Sequence, residues 1–393
     1  MPVSDELIST AVRQAAERIP AFASRLRAAD VRADAITGVD DLARIPVLTK
    51  DELLEQQHTD PPFGGLVAPD APVVRLFSSP GPLYEPQLAG ADPWRWQEAL
   101  RAAGFGSDDI VLNCFGYHLS PAGAMFDEAA RALGCTVVPA GTGNLDLQVQ
   151  AIHDLGVTAY TGLPSYLASL LDRYAAAGYH TDRWRLSKAL VTAEPLPDAL
   201  REQLTTHIPV VRAAYGTAET GLLGYETEPG QGLEVPDGVV VQVCDLDTGQ
   251  PIASGEGQVV ISLPRPEYPL VRFGTGDLSA WLYGADRPRL AGVLGRVGAA
   301  VKVRGMFLHP RQVESVMGGV AGVAAYRFVV DRVAHRDELR CEIVPTDDRG
   351  GEQVAATARE RIRSALRFTA DVAVVEAIDG DDTVVDRRKP QRP

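Results

Sequence analysis

The chain has 393 residues, 45% of them hydrophobic and 23% charged, enough for two or three domains around substantial cores. A net charge of −14 and a pI near 5.0 exclude nucleic acid or an anionic membrane as the expected main partner. The start, MPVSDELIST, lacks a signal-like apolar core and no apolar run approaches a membrane span, so a cytoplasmic protein is expected.

In chain order, Ser4 and Asp5 cap an expected helix whose Leu7, Ile8, Val12, Ala15 and Ile19 recur at helical spacing. Thr49 precedes Glu52 by three residues, the spacing of a capping box. After a turn-rich loop, VVRLF reads as a strand that runs into SSPGPLYEP. Ser78 and Ser79 there can aim hydroxyls and backbone N–H groups at an anion, although two prolines remove donors. A rigid proline turn is an equally good reading of this stretch.

From Trp94 to His207 the pattern alternates. WRWQEALRAAG, AMFDEAARALG, AIHDLG, LPSYLASLLDRYAAAG and LPDALREQLTTH read as helices, with strands at DDIVLNCFGYHL, CTVVPAG, VTAYTG and KALVTAEP between them. Such alternation predicts βαβ units and a mainly parallel sheet. Tyr117, His118 and Ser120 follow one strand end, Ala193 and Glu194 another, and ligands of open α/β sheets sit beyond such ends. A loop histidine with ordinary partners is the plainer reading of His118.

HIPVVRAA is a further strand, expected to stop at Tyr215-Gly216, where YGTAETG begins. Tyr215 offers a flat face, Gly216 flexibility, Thr217 a hydroxyl and Glu219 a hard oxygen ligand for Mg²⁺. Downstream, GVVVQVCDLDTGQPIASGEGQVVISLP reads as antiparallel hairpins. In YPLVRFGTGDLSAW, Asp277 suits a ribose diol, against a bland reading as a capped Gly-Asp turn. From Arg296 the order β-α-β-β-α-β, opening with VKVRGMFL as a single strand, is ferredoxin-like, which predicts domains at 1–295 and 296–393, the second small and mobile. Cys114, Cys135, Cys244 and Cys341 are scattered and read as buried thiols, with no zinc site legible among Cys and His.

Over nearly its whole length the chain resembles the phenylacetate–CoA ligase branch of the adenylate-forming enzymes. The matching stretches come in family order: GYHLSPAGAMFDEAARALGCTVVPAGTGN, GLPSYLASLL, VTAEP, AAYGTAETG, DTGQPIASGEGQVVISL, YPLVRFGTGDL and LGRVGAAVKVRGMFLHPRQVES. The resemblance implies an α/β fold with a large N-terminal domain and a small ferredoxin-like C-terminal one. It implies ATP-dependent activation of a small carboxylic acid, aromatic in preference to aliphatic, with Mg²⁺, transfer to CoA or another acyl acceptor, and a homodimer. It places Tyr215 on adenine opposite Ala193 and Glu194, Thr217 on the α-phosphate, Glu219 on Mg²⁺, and Asp277 with Arg296 at the ribose and hinge. Lys302 lies in the family's KVRG strand, Gly305 faces the CoA tunnel, and Tyr117, His118, Ser120 and Ala193 line the acyl pocket.

The departures are equally specific. The family's SSGTTGKP is SSPGPLYEP here, without the Thr-Thr and Lys that grip the outer phosphates. Ala213 replaces an acidic or amide residue, Gly298 and Ala299 occupy the hinge, and Gly380 stands where the C-terminal lysine belongs. Of the remaining lysines, Lys389 in the tail is the candidate replacement. Two functions follow: a divergent ligase, favoured by the retained Tyr215, Thr217, Glu219, Asp277 and Arg296, or a descendant that keeps an adenylate or acyl-CoA pocket without ligation.

Overall fold

Ser4 opens the first helix, its hydroxyl accepting from the Leu7 N–H, and Asp5–Arg18 buries Ile8, Val12 and Ala15. At Thr49 the capping box is complete: Thr49 Oγ1 takes the Glu52 N–H at 3.2 Å and the Glu52 carboxylate takes the Thr49 N–H at 2.7 Å. Helix Lys50–Thr59 follows. The structure, a computed structural model, describes residues 3–79, 83–179, 181–283, 287–297, 301–304, 306–308, 310–333, 336–346, 350–366, 368–380 and 382–388. They fall into two compact units, 1–295 and 296–393.

In the first unit, β1 (Val73–Ser78) and β2 (Tyr84–Leu88) form an antiparallel ribbon with Phe77 opposite Glu85. A separate six-stranded sheet contains β3 (Ile110–Asn113), β4 (Thr136–Val138), β5 (Ala159–Gly162), β6 (Lys188–Val191), β7 (Val210–Thr217) and β8 (Gly221–Tyr225). Its order is β4-β3-β5-β6-β7-β8, parallel throughout except for β8. Successive strand residues face opposite sides. Val111, Ala159 and Leu190 pack with Phe126 and Ala129 of helix Ala122–Ala132. Leu112, Tyr160 and Ala189 pack with Ile152 of Leu145–Leu155 and Leu167 of Pro164–Ala176. Burial on both faces is what near-continuous apolar strands require.

Strand β7 does not stop at Tyr215-Gly216. It runs on to Thr217 and returns as β8, with Thr217 opposite Gly221. Two glycines make this hairpin possible: Gly221 has φ +76°, and a Cβ on Gly216 would run into Gly221 and Trp96. Strands β9 (Val240–Cys244), β10 (Glu256–Ser262), β11 (Phe273–Leu282) and β12 (Arg289–Leu290) form the antiparallel hairpin sheet. Asp277 lies within β11, not in a turn. Ile8, Val12, Phe22 and Leu26 from the first two helices cover this sheet at Val243, Val259, Ile261 and Phe273.

In the second unit, Val323–Val333 and Arg336–Pro345 pair antiparallel, and Asp371–Val374 and Val384–Asp386 flank them in parallel. Helices Pro310–Gly318 and Gly351–Arg361 contribute Val313 and Ala358 to a core with Phe328, Cys341 and Ile343. The stretch VKVRGMFL, expected as one strand, is instead two, Val301–Val303 and Met306–Leu308, paired antiparallel. Arg304 with φ +49° turns the chain between them. All four cysteines are free and buried. Gly298, Ala299, Gly305 and Lys389 lie outside the described residues.

Candidate active site

Because β3, β5, β6 and β7 are parallel, the loops after them leave from one edge of the sheet. β3 sits between β4 and β5, so the connections diverge there, and such a switch point opens a crevice beyond the carboxyl ends. The loop after β3 carries Tyr117, His118 and Ser120. Tyr117 is half-buried and its hydroxyl accepts from Asn113 Nδ2 at 2.8 Å and reaches Asp127 Oδ2 at 3.2 Å. Burial and the Asp127 charge raise its pKa. His118 is exposed; its carbonyl takes the Ser120 N–H at 2.7 Å. Leu119, left-handed at φ +58°, gives its carbonyl to the Ser78 N–H at 2.8 Å, which ties the β1–β2 ribbon to this loop.

After β6, Ala193 takes a left-handed φ of +73°, a strain that non-glycine residues accept only when the surroundings impose it. Glu194 is committed locally: its Oε1 accepts the Ser165 N–H at 2.6 Å, at the start of helix Pro164–Ala176. At β7, Tyr215 is only 7% exposed. Its hydroxyl lies 2.9 Å from Asp277 Oδ2 and 3.1 Å from Thr275 Oγ1, so the two motifs singled out in the sequence meet side chain to side chain. The Thr275 hydroxyl in turn donates to the Val259 carbonyl at 3.0 Å. Thr217 Oγ1 is engaged within the hairpin turn, 2.9 Å from Thr220 Oγ1 and accepting the Thr220 N–H at 3.3 Å.

The turn carries Glu219, which is buried. Its Oε1 accepts from Lys50 Nζ at 2.8 Å, while its Oε2 is buried without a hydrogen-bond partner. Burial acts to raise this carboxyl's pKa, but the charge and hydrogen bond of Lys50 outweigh it and hold the group below the ordinary value. Beside them is Glu85, whose Oε2 accepts from the Tyr268 hydroxyl at 3.3 Å and whose Oε1 has no partner. Burial, and after it the Glu219 charge, drive Glu85 well above the carboxylate range, against the opposing pull of Lys50. At the end of the ribbon, Ser78 is half-buried and Ser79 is buried; the Ser79 N–H bonds the Leu83 carbonyl at 2.8 Å and its hydroxyl has no partner.

Lys50, Glu85 and Tyr268 were not legible as site residues. Lys50 offered one clue: a cation at the first position of a helix opposes the helix dipole, which asks for a compensating anion elsewhere. The other expected residues, Arg296 and Lys302, belong to the second unit, Arg296 at its first position and Lys302 in strand Val301–Val303. Gly380 has φ +85°, and a Cβ there would meet nothing within 4 Å.

A buried carboxylate with one open oxygen, a neighbouring lysine, and a tyrosine bonded to a second carboxylate form an arrangement suited to a charged, hydroxyl-rich ligand. Residues 95–265 match the family model described as AMP-binding enzyme. The phenylacetate-coenzyme A ligase of Thermus thermophilus is 30% identical over 361 residues, spanning 87% of this chain and 80% of that protein. The phenylacetate-coenzyme A ligase of Aromatoleum evansii is 30% identical over 417 residues, spanning 98% and 93%. Among solved structures, a 2-hydroxyisobutyryl-CoA ligase in complex with 2-HIB-AMP and CoA superposes with a TM-score of 0.89 at 20% identity, over 97% of this chain and 88% of that one, a likeness of fold. With relatives of this kind along almost its entire length, and on this fold, the chain belongs to the phenylacetate-CoA ligase family of adenylate-forming enzymes.

Proposed function

We propose that the protein activates a small carboxylic acid with ATP, releasing pyrophosphate, and passes the acyl group from the acyl-adenylate to the thiol of CoA. An aromatic acid is the favoured substrate, given relatives named for phenylacetate. The observation that carries this reading is the Tyr215–Asp277 contact at 2.9 Å, which gathers an aromatic ring and a carboxylate at the carboxyl edge of the sheet. Adenine on the ring face and ribose hydroxyls on Asp277 would then leave the α-phosphate near the Thr217–Glu219 turn, where the substrate carboxylate attacks. Such chemistry is mostly positioning and charge neutralisation, which the residues present can supply.

Mg²⁺ fits this site on one ground. The buried Oε2 of Glu219 lacks a partner, and among the described residues no group of three or more His, Cys, Asp or Glu could hold a metal. A single carboxylate oxygen, with water and phosphate completing the shell, is how Mg²⁺ is commonly bound, and the ion would neutralise phosphate charge. The acyl pocket is assigned to the loop of Tyr117, His118 and Ser120 together with Ala193. The small residues Ala122, Gly123 and Ala124 follow that loop, and the missing side chain of Gly123 lets the Tyr117 ring and the Gly116 carbonyl close directly onto the helix. Lys302 and Gly305 are assigned to the thioester step.

ATP–pyrophosphate exchange across a panel of aromatic and short aliphatic acids tests the reading. Exchange with at least one acid is the expected result. Binding of ATP and AMP with no exchange for any acid would instead favour the descendant that only binds.

A further inference from the structure

We propose that Lys50 is a phosphate-contacting residue: with ATP bound, its ammonium turns from Glu219 to an outer phosphate oxygen. The inference rests on the ligase reading and supplies the cation that the altered loop lacks.

The stretch SSPGPLYEP offers an anion two hydroxyls but no cation, and it carries a glutamate, Glu85, before its last proline. In a chain of net charge −14, a triphosphate needs a local cation from elsewhere. The unit 1–295 holds two lysines, Lys50 and Lys188. Lys188 opens β6, at the amino end of the strand, and donates to the Gly104 carbonyl at 2.8 Å and Asp109 Oδ2 at 3.1 Å. Arg95 is committed to the Thr220 and Leu222 carbonyls. Lys50 is the lysine left for the site.

The fold delivers it there by two fastenings. Leu48 is bonded to the strand that carries Asp277, its N–H to the Arg272 carbonyl at 2.7 Å and its carbonyl to the Gly274 N–H at 2.9 Å. The Thr49 capping box then starts the helix, with Lys50 as its first residue. Lys50 Nζ lies 2.8 Å from Glu219 Oε1, its one partner among the described residues, although an ammonium carries three donors. The Lys50 side chain is 21% exposed and that of Glu219 4%, so the lysine is the member of the pair that a ligand reaches from solvent.

With its unpartnered Oε2 on Mg²⁺, Glu219 would bring metal-bound phosphate oxygens to the carboxylate that holds Lys50. Ammonium and phosphate then meet across one side chain. A lysine beside a metal-bound phosphate is a recurrent arrangement, because the two cations offset charge on different oxygens. Until nucleotide binds, Lys50 neutralises Glu219.

The test compares ATP (with Mg²⁺) and AMP binding by calorimetry in the full-length protein. Lys50→Met is expected to weaken ATP by about tenfold, while AMP, lacking the outer phosphates, changes by less than about threefold. Because Lys50→Met alone strands a buried carboxylate, the same change is also made in Glu219→Gln. There it should still weaken ATP by more than about threefold. A smaller loss on that background would mean that Lys50 only neutralises Glu219, and would overturn the proposal. So would equal losses of ATP and AMP in Lys50→Met, or unchanged ATP binding. A wild type that binds nucleotides without pyrophosphate exchange refutes the ligase reading, while the ATP-against-AMP contrast still decides Lys50. A wild type that binds neither nucleotide refutes both.

Discussion

Tyr215 and Asp277 stand 62 positions apart and share a hydrogen bond of 2.9 Å. Each was visible in the sequence because its neighbours form a short motif around glycine. If Asp277 holds the ribose, Asp277→Asn keeps the shape but weakens a charged acceptor, and should cost about 1.5–3 kcal/mol of AMP binding by calorimetry. Unchanged affinity would remove Asp277 from the site. Lys50, Glu85 and Tyr268 stayed hidden for a physical reason: their partners lie 169 and 183 positions away, and no local spacing encodes a contact that only the fold creates. Glu85 also makes a pH prediction. Its unfolded-state carboxyl ionises near the ordinary value of 4.5, and its folded-state carboxyl only well above it. Between those values folding takes up a proton, so Glu85 makes stability fall as pH rises through that window. Glu85→Gln abolishes this contribution, and urea unfolding should show the variant losing less stability than wild type between about pH 5 and 8. Parallel pH profiles for the two proteins would mean that Glu85 ionises normally in the native state.

At the scale of elements, the alternation of helix and strand was readable because each strand is apolar on both faces and each helix on one. What sequence periodicity missed were the ends. β7 was expected to stop at a glycine, yet Gly216 and Gly221 allow a close hairpin instead, and this hairpin is what buries Glu219. The strand expected over VKVRGMFL divides at Arg304, whose left-handed backbone no apolar pattern announces. Arg272 shows how the elements are joined. Its side chain is 1% exposed and donates to the Ile45 carbonyl at 3.2 Å, Gln242 Oε1 at 2.8 Å, Cys244 Sγ at 3.2 Å and the Gly249 carbonyl. It fastens the segment before helix Lys50–Thr59 to the hairpin sheet. Arg272→Ala should therefore destabilise the protein by about 3–5 kcal/mol, from a cavity together with stranded acceptors. A loss below about 1 kcal/mol in chemical denaturation would contradict this bracing role.

For the whole molecule, the family and the fold class were legible because seven motifs recur in order, even though each is individually short. The resemblance aligns Gly380 with the family's C-terminal lysine, and if that alignment holds, the backbone rather than crowding is what disfavours a side chain there. Gly380 is left-handed, with open space around it. Gly380→Ala should cost about 1 kcal/mol through backbone strain alone, measurable as a lower unfolding midpoint, and a neutral result would mean that this turn relaxes freely. If Gly380 does take that lysine's place, adenylation lacks a well-aimed cation, an effect commonly worth about 3–4 kcal/mol. Thiol transfer from a supplied acyl-adenylate would then be the less impaired half of the reaction. The most direct measurement follows both half-reactions in one preparation of the wild-type protein: pyrophosphate exchange with a panel of acids, and thioester formation from a supplied acyl-adenylate and CoA. Measurable but slow exchange with at least one small acid is expected, with faster thioester formation from its adenylate. Nucleotide binding accompanied by neither exchange nor thioester formation would contradict the ligase reading.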